Sequence, residues 1–124
     1  MRATSPVQAE ARIRVLAFGA HPDDVEIGCG GLIAALTQRG HHVVSVAVTS
    51  GEAGSQTIPR DRLTEIREAE ATQAARILGI AEMIFLRLED GFTSFSREDK
   101  VRVIDLVRSQ TPEFVLVHAS SDRF

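Results

Sequence analysis

A chain of 124 residues suits one domain, and its 44% hydrophobic and 25% charged residues are ordinary for a soluble globular protein. A formal charge of -3 excludes the basic footprint of a general nucleic-acid binder, and no apolar run is long enough to span a bilayer. The single cysteine, Cys29, excludes an internal disulfide, and the segment Met1 to Arg14 lacks a signal peptide's apolar centre, so the cytoplasm is the expected compartment.

Residues 1–11 read as a polar arm of a single domain over 1–124. Ile13 to Phe18 is a short apolar run and predicts a buried strand, followed by a loop over 19–27. Leu32, Ile33 and Leu36 recur at helical spacing and predict a core-facing helix from Cys29 to Arg39, stopped by Gly40. His42 to Thr49 is Val-rich and predicts the second strand. A Gly- and Ser-containing loop over 50–59 leads to a long amphipathic helix, Asp61 to Leu78. Leu63, Ile66, Ala74 and Ile77 or Leu78 are its expected core residues, and Gly79 its stop. Met83 to Leu86 predicts a third strand. Ser96, with Asp99 three residues on, predicts the cap of a third helix carrying Val101, Val103, Ile104 and Leu106. Phe114 to His118 predicts a fourth strand.

Strands alternating with helices imply a parallel sheet covered on both faces. Right-handed crossovers leave few topologies, and the expected one is a Rossmann-like three-layer α/β sandwich of strand order 3-2-1-4. Ligands in such sheets bind beyond the carboxyl ends of the strands, where the order reverses. That rule brings together Gly19 to Asp24, after the first strand, and His118 to Asp122, after the fourth.

His21 and Asp24 offer an imidazole nitrogen and a carboxylate oxygen, donors that suit Zn²⁺ and similar divalent ions. Pro22 restricts its own φ and holds His21 extended, so the loop can turn both donors toward one point. Asp23, between them, is left free to face a metal-activated water. The residues alone leave a second reading open, a helix-capping loop in which Asp and Pro do only conformational work. The position at a strand's carboxyl end favours the chemical reading.

The run from Gly19 to Gly31, GAHPDDVEIGCGG, resembles the signature of LmbE-like (PIG-L-type) deacetylases. It is most similar to the subgroup that includes bacillithiol-pathway N-acetylglucosaminyl-malate deacetylases. Further segments resemble the family in order: Thr49 to Gly54, Ile66 to Glu70 with Leu78-Gly79, Leu88 to Gly91, and Val117 to Asp122. The resemblance implies zinc-dependent removal of an acetyl group from an N-acetylglucosamine-type conjugate. It implies His21 and Asp24 as zinc ligands and Asp23 as general base. It implies Arg67 as a contact to the substrate's sugar and Asp90 as a partner of sugar hydroxyls. It leaves a homo-oligomer open and implies neither a nucleic-acid nor a membrane partner.

The family has a His-Pro-Asp-His-like cluster after the fourth strand that supplies a third ligand. The sequence reaches Phe124 where that cluster would begin, so it reads as an N-terminal portion with its third ligand further on and with weak metal binding as it stands. His118 is an accessory donor expected to lie too deep or too distant. The competing class is a non-catalytic Rossmann-like nucleotide- or sugar-binding module with a vestigial metal site. Gly28 to Gly31 lacks the G-x-G-x-x-G spacing, which disfavours a dinucleotide. Glu26 reads as a solvent-exposed acid, Cys29 as a small residue under close helix packing, and His41 and His42 as surface residues on opposite faces.

Overall fold

A computed structural model describes residues 11–94 and 96–121, so nearly all of the N-terminal arm and Asp122 lie outside the described residues. The chain runs β1 (Arg14–Gly19), α1 (Asp24–Gln38), β2 (His42–Thr49), α2 (Arg60–Leu78), β3 (Glu82–Leu88), α3 (Arg97–Gln110) and β4 (Phe114–Leu116). The four strands form one parallel sheet in the order β3-β2-β1-β4, as expected.

The central strands are buried on both faces, which is why they read as continuous apolar runs. Alternation along β1 sends Val15 and Ala17 to one face, where they pack with Val25, Ile33 and Val43 and meet Leu36 and Leu78. Leu16 goes to the other face and joins Val44, Val46 and Leu86 beneath Val103, Leu106 and Val107 of α3. Helices α1 and α2 therefore cover one face and α3 the other, as right-handed crossovers require for this order.

The helix termini follow their residues. Gly79 adopts φ 73° and closes α2, a left-handed conformation that costs glycine little. The Ser96 hydroxyl accepts the Asp99 N–H at 3.0 Å and caps α3. Helix α1 departs from expectation. It begins at Asp24 rather than Cys29, and Cys29 itself breaks it with φ -147° and ψ 19°. The glycines around Cys29 weaken helical propensity there, so the sequence hides the first turn. Val25 is buried and anchors that turn to the core, while Asp24 and Glu26 face the positive end of the helix dipole.

Several apolar residues expected inside are exposed, including Leu32, Ile77, Val101 and Ile104. Small residues take their place on α2, where Ala71 and Ala75 are buried beside Leu63. A Cβ at Gly28, Gly30 or Gly31 would meet nothing, so close backbone packing is not what requires these glycines. Glu26 is half-buried rather than exposed, with Oε1 unpaired among the described residues.

Candidate active site

Four loops meet beyond the carboxyl ends of the strands. The first leaves β1 through Gly19, where a Cβ would lie 2.9 Å from Asp24 Cβ and 3.1 Å from His21 O. Only glycine lets the chain double back this closely. The turn is drawn shut by Asp23 N–H donating to His21 O at 2.9 Å, and by His21 N–H donating to Asp24 Oδ2 at 2.8 Å. Thr49, at the end of β2, ties the same loop down from the side, its N–H and its hydroxyl each donating to Ala20 O at 2.9 Å.

This arrangement aims three donors at one place. His21 Nδ1 is 3.7 Å from Asp24 Oδ2, and His118 Nε2 is 3.3 Å from the same oxygen. His118 is thus neither too deep nor too distant: pairing of β4 with β1 carries the following segment back over Ala20, whose N–H donates to His118 Nε2 at 3.2 Å. Among the described residues no three His, Cys, Asp or Glu side chains stand as a ready-made metal cage. The donor chemistry nevertheless fits a divalent metal. Two ligands each about 2.0–2.2 Å from one tetrahedral ion lie about 3.4 Å apart, close to the two separations around Asp24.

Asp23 is the N-cap residue of α1, yet its side chain makes no capping hydrogen bond. Capping therefore does not account for it. Its carboxylate is half exposed, and Oδ1 lies 3.3 Å from Arg67 NH2. Arg67 comes from the first half of α2, faces this loop rather than open solvent, and is 22% exposed. A turn closed by Gly54 N–H on Gly51 O at 3.1 Å forms its seat. Gly51 has φ 67°, and a Cβ there would lie 2.7 Å from Arg67 Cζ.

Asp90, after β3, is buried at 8% exposure. Its Oδ1 is 2.9 Å from His21 Nε2, and its Oδ2 accepts the Ala53 N–H at 3.2 Å. A β-bulge precedes it: Ala47 faces Phe85 but Thr49 faces Leu88, leaving an extra residue in β3. Arg87 sits in the bulge at φ 53° and clasps Glu68 with two hydrogen bonds of 2.8 Å. This clasp, with the Ser50 hydroxyl donating to Glu68 at 2.6 Å, holds the Glu68 carboxyl below its ordinary pKa despite an opposing push from burial. Neither Glu68 nor Arg87 stands out in the sequence. Their spacing matches no local pattern.

Between these loops lies a cleft of about 560 Å³, lined by His21, Thr49, Asp90, Thr93, Val117 and His118 among others. It is of a size that holds a small ligand. The model of the GlcNAc-PI de-N-acetylases, PIG-L, matches residues 16–123, from β1 through all four loops. The chain belongs to the PIG-L family. An uncharacterized deacetylase of Escherichia coli is 34% identical over 108 residues, covering 86% of this chain and 55% of that protein. N,N'-diacetylchitobiose deacetylase from Pyrococcus horikoshii superimposes with a TM-score of 0.78 at 33% identity, over 82% of this chain and 39% of that one. The 4-carboxy-2-hydroxymuconate hydratase GalB of a Pseudomonas superimposes with a TM-score of 0.81 at 28% identity, over 90% of this chain and 49% of that one. This PIG-L chain thus spans about half or less of the length of these relatives.

Proposed function

We propose that this chain carries the water-activating site of a zinc-dependent deacetylase acting on an N-acetylglucosamine-type conjugate. The observation that carries the reading is the meeting of His21, Asp24 and His118 around one carboxylate oxygen, with uncapped Asp23 beside them. His21 and Asp24 would hold the metal, and His118 is an accessory donor whose Nε2 would have to give up the Ala20 N–H to join them. A divalent metal there supplies Lewis acidity, which brings a water's pKa from about 16 to roughly 7.

Asp23 then does the proton work. Its exposed carboxylate accepts the water's proton as the oxygen attacks the acetyl carbonyl carbon. It returns that proton to the sugar nitrogen as the C–N bond breaks, leaving acetate and a free amine. Arg67 holds the carboxylate through their ion pair and presents its remaining N–H donors to a polyhydroxylated or anionic substrate. The family's description and the diacetylchitobiose deacetylase both support an N-acetylated amino sugar as substrate. The nucleotide- or sugar-binding module gains no support from either.

The likeness to the hydratase favours a second reading, in which the same residues deprotonate a water that adds to a carbon–carbon double bond. Incubation of the zinc-loaded protein with N,N'-diacetylchitobiose and, separately, with a conjugated unsaturated diacid separates the two. Release of acetate supports deacetylation. Absence of acetate, together with loss of the diacid's ultraviolet absorbance, would assign the site to hydration.

A further inference from the structure

We infer that Asp90 is a positioning residue that fixes the ring tautomer of His21, so that Nδ1 is the atom His21 turns toward Asp24. The inference rests on the metal-site reading for its purpose but not for its geometry. An aspartate carboxylate only accepts hydrogen bonds, so the 2.9 Å contact between Asp90 Oδ1 and His21 Nε2 requires the proton on Nε2. In the neutral ring that leaves the lone pair on Nδ1, the nitrogen 3.7 Å from Asp24 Oδ2.

The rest of Asp90 is arranged to make that contact firm. Its other oxygen accepts the Ala53 N–H, and its own N–H donates to Glu52 Oε1 at 2.8 Å. The loops after β2 and β3 are therefore stapled in both directions, side chain to backbone each way. The bulge at Arg87 sets the approach, because the extra residue in β3 shifts the register immediately before Asp90. Burial to 8% exposure limits the access of water to both oxygens. A carboxylate behind a metal-ligating imidazole raises its basicity and holds its orientation.

Asparagine at this position keeps one acceptor oxygen and replaces the other with a donor. It can serve His21 or Ala53, but not both. The test is long-range ¹H–¹⁵N NMR of the histidine rings in metal-free protein, followed by zinc titration, for wild type and Asp90→Asn. Wild-type His21 should show a single Nε2–H tautomer, and the variant a mixture with zinc affinity reduced about 10–100-fold. A wild-type His21 protonated at Nδ1, or an unchanged tautomer in the variant, overturns the inference without requiring the variant to be active. A fixed Nε2–H tautomer in a wild-type protein that binds no divalent metal supports the positioning role and sinks the hydrolase reading instead. Since the first arm needs only the wild type, an Asp90→Asn chain that fails to fold leaves the inference open to refutation.

Discussion

Gly51→Ala probes the site through a residue that touches no reacting atom. The added Cβ would stand 2.7 Å from Arg67 Cζ, about 1 Å inside ordinary carbon contact. Arg67 is long enough to yield, so the consequence is a displaced guanidinium rather than an unrelieved clash. A retreat of about 1 Å carries its pair with Asp23 from 3.3 Å to the edge of ion-pair range. Two effects should appear together. Alanine at φ 67° costs about 1–2 kcal/mol, which lowers Tm by about 4–8 °C in a domain of this size. The loosened general base should lower kcat/KM about 10–100-fold, since misplacement by about 1 Å is worth that much. Gly40→Ala is the control, because Gly40 has φ 83° with open space around its Cα. It should lower Tm similarly and leave acetate release unchanged. In an Arg67→Ala background, Gly51→Ala should reduce the rate no further. Equal kcat/KM in Gly51→Ala and Gly40→Ala, at equal Tm, would refute the seating of Arg67 by this turn.

Gly19→Ala should weaken zinc binding more than it weakens the fold, because its Cβ would press on Asp24 Cβ at 2.9 Å; a zinc titration beside a thermal melt checks this. Glu68→Gln tests the Arg87 clasp. The folded-state pKa of Glu68 lies below its ordinary 4.5, so its contribution to stability is present above that pH and is lost as pH falls through the lower folded value. Wild type should therefore melt higher than Glu68→Gln at pH 7, with the difference shrinking below pH 4.5; a constant difference across that range would contradict the clasp.

Much of this fold is legible in the sequence because the strands are buried on both faces. Such strands leave unbroken runs such as VVSVAV, and the βα alternation with right-handed crossovers then leaves few strand orders, the observed one among them. The first turn of α1 is hidden because glycines at 28, 30 and 31 look like a loop, while its real anchor is the single buried Val25. The convergence of His21, Asp23, Asp24 and Arg67 is legible from motif and topology together. The partner of Arg67 is not, since a sugar contact and an ion pair with Asp23 call for the same residue. His118 illustrates the limit of counting along a strand. Regular pairing of β4 ends at Leu116, and the two residues beyond it bring the imidazole back over Ala20. Asp90 is found in the sequence for a sugar-binding role, but its burial and its bond to His21 depend on a bulge that no residue pattern announces.

The central claim is that His21 and Asp24 hold a metal while Asp23 moves the proton. Its most direct test is zinc stoichiometry and acetate release from N,N'-diacetylchitobiose, measured side by side for wild type, Asp23→Asn and Asp24→Ala. The account predicts that Asp23→Asn keeps its zinc and loses about 10²–10⁴-fold in turnover, whereas Asp24→Ala loses the zinc and the activity with it. Near-wild-type turnover in Asp23→Asn, or undiminished zinc in Asp24→Ala, would contradict it.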